Sequence, residues 1–203
     1  MHPTLVTVGV GLALLASASA GMAQDRASDE PTLRVLIVNE AHVPRDVLAS
    51  AEQDAAAIFE AAGVRIVWVP GDPEHAGDDP DFDVAVTFSA SAVPSAIART
   101  VPNNTLGFTV IDRTHAGLLA QFVWVRYDQV DRYALQRQVQ ISRLCGLVMA
   151  HEIGHTLLTA GHSDRGLMRR TWELGVSAPL EHFTDAQADA MRVRLESVRK
   201  QRP

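Results

Sequence analysis

The 203-residue chain has one cysteine, Cys145, and one lysine, Lys200. A lone thiol excludes an intrachain disulfide, so the fold must be held by packing, with or without a bound metal. Cys145 lies inside the apolar stretch Leu144-Cys145-Gly146-Leu147-Val148 and reads as a small core residue, not a reactive thiol. The scarcity of lysine is a bias of composition with no function attached. The formal net charge of −6 does bear on function: it weighs against nucleic acid as a partner, because phosphate binding calls for a basic surface. Internal repeats and low-complexity segments are also lacking, which excludes solenoids and arrays. Beyond the N-terminus no apolar run is long enough to span a bilayer.

What is present suits one globular domain. A hydrophobic fraction of 47% is ample for a core, and 21% charged residues is ordinary. Residues 1–23 carry a short apolar run, Leu5 to Ala16, followed by Ala18-Ser19-Ala20 and Gly21-Met22-Ala23. Small residues after a short apolar run are the pattern of a secretory signal with its cleavage site, although no Lys or Arg precedes it. An exported chain, secreted or periplasmic, is therefore expected, with residues 24–203 as the mature domain. Only 24–31 would separate the cleavage site from the first strand, so no N-terminal inhibitory domain is expected.

Leu33 to Val38 reads as a buried strand, and Pro44 to Ala62 as an amphipathic helix stopped by Gly63. Strands are expected at Val64–Val69, Phe82–Ser89, Leu106–Ile111 and Gln121–Tyr127. The loop from Pro70 to Asp81 is crowded with acids (Asp72, Glu74, Asp78, Asp79 and Asp81, with Asp83 just after). Carboxylates suit calcium, but the spacing matches no calcium loop, and a solvated acidic loop is the expectation. A long helix is expected from Val130 to Leu158, and a last one from Asp185 to Val198 with Thr184 as its cap. This order implies an α+β fold, a mixed sheet flanked by two main helices with a smaller C-terminal part.

The chemistry is concentrated in His151-Glu152-Ile153-Gly154-His155. On a helix, positions i and i+4 share a face, so both imidazoles can reach one zinc ion, at about 2.0–2.1 Å. Glu152 sits beside them, placed to take a proton from a water that the metal activates and to pass it to a leaving amine. A catalytic zinc needs a third protein ligand and an open fourth position. Gly161 would permit a left-handed turn that ends the helix, and His162 follows it directly. Asp164, Glu173 and Glu181 are the competing third ligands. Gly166-Leu167-Met168-Arg169 then reads as a tight turn presenting a methionine. His115 and His182 have no motif around them.

These residues resemble the metzincin clan of zinc peptidases, whose signature is H-E-x-x-H-x-x-G-x-x-H followed by a methionine turn. The run His151 to Leu157, with His162-Ser163 after it, is especially similar to matrixin-type members. The resemblance implies zinc as cofactor, His151, His155 and His162 as its ligands, Glu152 as general base and Met168 as the methionine of the turn. It also implies the clan's mixed twisted sheet, active-site helix, methionine turn and C-terminal helix, with an edge strand that binds substrate backbone by strand addition; Phe122 to Val125 of the strand Gln121–Tyr127 could do this, or that strand could equally be a core strand with Trp124 buried. At residue level the likeness covers 144–172. Leu158 stands where the clan has glycine, His162 lies one residue later than the clan's third histidine, and Arg170 occupies the position of a tyrosine found in some members. Trp172, Val176 and Leu180, after the methionine, could line a specificity pocket.

The expected activity is that of an exported zinc endopeptidase, a monomer acting on protein or peptide. A non-peptidase zinc protein of the same fold, or an inactive binding module, is the alternative. Glu152 separates them, because structural zinc fills all four positions with protein ligands and has no use for that carboxylate. With ordinary histidines the metal would be lost as pH falls below about 6.

Overall fold

The computed structural model describes residues 30–70, 83–90, 101–112, 120–158, 161–175 and 180–201. The expected signal segment, most of the acidic loop, His115 and Val176 lie outside these residues. The elements are β1 (Thr32–Asn39), α1 (Arg45–Ala61), β2 (Arg65–Pro70), β3 (Val84–Ser89), β4 (Gly107–Asp112), β5 (Ala120–Arg126), α2 (Tyr127–Arg137), α3 (Ile141–Leu157) and α4 (Asp185–Gln201). The fold is α+β, with one five-stranded mixed sheet in the order β2-β1-β3-β5-β4.

β1, β2, β3 and β5 are parallel, and β4 alone runs antiparallel, at the edge, paired to β5. β1 is an interior strand, flanked by β2 and β3, which is why its sequence is nearly continuous in apolar residues. Leu33, Val35 and Ile37 join the main core with the helices, while Leu36 and Val38 join a smaller cluster with Ala85, Val69 and Phe122. Phe108 of β4 pairs with Trp124 of β5, and their rings stack with centroids 5.1 Å apart.

This order favours the core-strand reading of Gln121–Tyr127 over the substrate-strand one. Residues 121–127 belong to β5, inside the sheet, with Val123 and Val125 fully buried. Among the described residues the edge strands are β2 and β4, and β4 is the edge that lies against α3.

The expected single helix from Val130 to Leu158 is two helices. α2 begins at Tyr127, directly after β5, and ends where Gln138 adopts a left-handed conformation (φ 54°). The Val139 N–H then reaches back to the Ala134 carbonyl and the Gln138 N–H to that of Leu135. That pair of bonds is the Schellman stop, usually made with glycine. α1 ends in the same way, with Gly63 (φ 70°) in the left-handed position and Val64 bonded to Phe59. Glycine announced the first stop; glutamine concealed the second.

α3 is buried along almost its whole length because it lies between α1 and the sheet. The crossing with α1 leaves no room for a side chain at Gly146. A Cβ there would stand 2.8 Å from the Ala51 carbonyl oxygen and 2.8 Å from the Asp54 Cβ. Cys145, fully buried beside it, is pushed up to about 12 by burial, so the thiol is inert, as expected. Phe59 of α1 and Phe183, just before α4, pack with ring centroids 5.1 Å apart and close the far side of the core. Among the described residues, no helix is long and apolar enough to cross a membrane.

Gly146→Val should force α1 and α3 apart and lower stability by roughly 1–3 kcal/mol. Urea unfolding of the metal-free protein would measure it, and an unchanged midpoint would refute the tight crossing.

Candidate metal centre

α3 carries His151 and His155 one turn apart on its cleft-facing side. His162 arrives from the segment that follows the helix. The three ligand-capable nitrogens lie within 4.8 Å of one another, and no other described group of His, Cys, Asp and Glu does so. Nε2 of His151 and Nε2 of His155 are 3.1 Å apart. Two nitrogens on a tetrahedral zinc at about 2.0–2.1 Å stand roughly 3.3 Å apart, so the pair needs almost no adjustment to share an ion. His151 is buried, His155 half-buried and His162 exposed. The open side of a potential fourth position thus faces solvent.

The tautomer of His151 follows from its partner. Its Nδ1 lies 2.9 Å from the Leu167 carbonyl oxygen, which can only accept, so Nδ1 holds the proton and Nε2 keeps a lone pair. The same carbonyl accepts the indole N–H of Trp172 at 2.9 Å, and the Trp172 ring meets His151 edge to face, centroids 5.2 Å apart. Orientation of a histidine by a bond to its second nitrogen is the usual support of a metal ligand.

The turn that supplies this carbonyl is fixed from below. Gly166 is left-handed (φ 67°); the Leu167 N–H bonds to the His182 carbonyl at 2.7 Å and the Ser163 N–H to the Met168 carbonyl at 2.9 Å. Met168 is fully buried, and Gly154 makes the room: a Cβ there would stand 2.7 Å from the methionine sulfur. Ser163 also accepts a bond from Gln187 of α4 at 3.0 Å, while Gln187 and Thr184 cap that helix reciprocally. His162 is therefore tied through its neighbour to both the methionine turn and α4.

The left-handed exit expected at Gly161 is not what ends α3. The helix stops at Leu157, and Leu158 already leaves in an extended conformation (φ −98°, ψ 129°). Of the competing ligands, Asp164 and Glu173 are exposed and outside the cluster. Glu181 is ion-paired with Arg169 at 2.5 Å. His182 is exposed and contributes only its carbonyl.

Glu152 is buried beside the histidines without joining their cluster. Its partner is Thr109 of the edge strand, whose hydroxyl is 2.8 Å from Glu152 Oε2 and 2.9 Å from the Glu152 carbonyl oxygen. β4 can approach this closely because Gly107 has no side chain; a Cβ there would stand 2.9 Å from Glu152 Cγ. The contact joins residues 43 apart in sequence, and no motif marks Thr109, which is why the sequence did not reveal it. The histidines and Glu152 open into a cleft of about 990 Å³, whose walls include Leu106, Phe108, Tyr133, Val148 and Trp172. Leu180, expected in the same pocket, packs instead against the main core.

Burial dominates the electrostatics. It lowers His151 to about 4, against a smaller upward effect of the Leu167 bond. Burial, then the neighbouring histidines, lowers His155 to about 4 as well. His162 is lowered by partial burial and by the charge of Arg170. Burial raises Glu152 to about 7, opposed by the Thr109 hydroxyl. Three neutral imidazoles at neutral pH are a donor set ready for zinc. The expected proton competition below about pH 6 is moved down, because His151 and His155 stay neutral to about 4.

No protein-family model matches the chain, and no curated protein matches its sequence. One similar solved structure is archaemetzincin (amzA) from Methanopyrus kandleri, 14% identical, covering 82% of this chain and 97% of that one, with a TM-score of 0.48. At that distance any function must come from the side chains.

Between pH 6.5 and about 4 the unfolded chain takes up protons on His151 and His155 that the folded chain refuses, so these groups cost stability as pH falls. Glu152 acts in the opposite sense: its contribution is full below 4.5 and is lost as pH rises through about 7. Within the site the two strongly lowered histidines outweigh the one raised carboxyl, so these groups should make the metal-free protein melt lower at pH 4.5 than at 6.5. Glu152→Gln, which removes the opposing group, should steepen that fall. A shallower slope in the variant would contradict the assignment.

Proposed function

We propose that this chain is an exported zinc endopeptidase with His151, His155 and His162 as the ligands and Glu152 as the general base. The observation that carries the reading is the arrangement of three neutral imidazoles around one point, with a buried carboxyl beside them but outside the set. A structural zinc site would have closed its fourth position with protein; this one faces a cleft. The metzincin-like motif and the methionine seated against α3 at Gly154 agree with that reading.

Zinc, when bound, would polarise the scissile carbonyl and acidify a water to about pH 7. The chain's own residues do the rest. Leu167 holds His151 in the tautomer with a free Nε2. Glu152, at about 7, can both take and return a proton near neutral pH. Thr109 suits both of its states: the hydroxyl donates to the carboxylate, and once the carboxyl is protonated it can accept from it while donating to the Glu152 carbonyl. β4, whose Gly107, Phe108 and Thr109 line the cleft, takes the substrate-strand role in place of Gln121–Tyr127. An extended peptide can pair with its free edge and lay a carbonyl beside Glu152.

The zinc-loaded mature chain should cut peptides from a complex library, and a zinc chelator should abolish the cuts. Glu152→Ala should lower the rate by about 10²–10⁴ while still binding zinc. A folded, zinc-loaded wild type that leaves every peptide intact would refute the peptidase. Thr109→Val should lower kcat roughly tenfold, the cost of one hydrogen bond to a charged group, with KM and zinc affinity little changed. Thr109→Ser should restore the rate; equal rates for Val and Ser would remove Thr109 from the mechanism.

A further inference from the structure

The cleft is unlike the rest of the molecule in charge. The chain is acidic, with a formal net charge of −6. Yet among the described residues, apart from the three histidines, the charged side chains lining the cleft are Glu152, Arg170 and Arg194. Glu152 is engaged by Thr109. Other arginines nearby are occupied: Arg169 by Glu181, Arg192 by Asp189, and Arg126 by the carbonyls of Pro102, Asn103 and Thr105. Arg170 and Arg194 have no carboxylate partner among the described residues.

Arg170 is the more telling of the two. It is exposed, two residues beyond the buried Met168, and lines the same cleft as the three histidines. A fixed positive charge beside a site for a divalent cation opposes the metal. For zinc binding alone a neutral side chain would serve better at this position. An anionic group brought by the substrate would offset the repulsion, and a guanidinium offers two parallel N–H donors to a carboxylate.

We propose that the cleft recognises a carboxylate on its peptide substrate, with Arg170 as the receiving group and Arg194 adding to the positive field. The proposal rests on the peptidase reading for the reaction, but not for the binding. The carboxylate has two possible sources, an acidic side chain near the scissile bond or the free end of the peptide chain.

Binding can be read without turnover. Fluorescent alanine peptides, C-terminally amidated, would carry one Glu or one Gln walked through every position. Their affinity for zinc-loaded Glu152→Ala protein would be measured by anisotropy, beside an all-alanine peptide as free acid and as amide. At one position Glu should bind roughly tenfold tighter than Gln. The preference should vanish when Arg170→Gln is added, and Arg170→Glu should favour a Lys peptide instead. A difference confined to free acid against amide would place the carboxylate at the chain end. Equal binding throughout, or a preference that survives Arg170→Gln, would overturn the proposal. Arg170 is exposed, so its variants should fold; zinc content and circular dichroism check this. Cleavage of the same peptides by the wild type separates the two ideas. Selective binding without any cutting would sink the peptidase and keep the carboxylate site; cutting without selectivity would do the reverse.

Discussion

The carbonyl oxygen of Leu167 is the point on which the site turns. It accepts the Nδ1 proton of His151 and the indole proton of Trp172, and so joins the buried helix, the turn after it and one wall of the cleft. A carbonyl can do this only if its own backbone is rigid. The rigidity comes from left-handed Gly166, from the Leu167 N–H on His182, and from Met168 seated against α3 at Gly154. If the turn moved, His151 would lose its tautomer, Trp172 its anchor and His162 its tether through Ser163.

The same economy of space governs the other side of the site. Three glycines mark places where a neighbour takes the space a side chain would fill: Gly146 against the backbone of α1, Gly154 against the Met168 sulfur, and Gly107 of the edge strand against the Val148 and Glu152 side chains of α3. The last contact is the one that brings Thr109 to Glu152. Burial then has two opposite effects. It keeps the histidines neutral, as metal ligation requires, and it raises the carboxyl into the range where a proton can be both taken and returned. The same burial tunes both kinds of group because desolvation penalises whichever form is charged.

Electrostatics also divides the molecule. The chain as a whole is acidic, while among the described residues the cleft is lined by one carboxyl, Glu152, and by two arginines without carboxylate partners. Such a distribution has little effect on the fold but a large one on which ligand enters, since steering and selectivity depend on local charge.

Local chemistry was legible from the chain alone. The i, i+4 histidines, the carboxyl between them, a later histidine, the methionine turn, the capped last helix and the glycine-stopped first helix all follow from short-range rules of spacing and backbone geometry. Those rules act over a few residues, so a sequence displays them. The break at Gln138 escaped because glutamine rarely takes the left-handed position that glycine advertises. Strand order escaped because pairing is set by tertiary packing: Gln121–Tyr127 read equally well as an edge or a core strand until the sheet placed β5 inside and β4 outside. Thr109 on Glu152, and the Leu167 carbonyl shared by His151 and Trp172, exist only once distant segments meet. Long-range contacts of this kind leave no pattern along the chain, and only the folded structure could decide them.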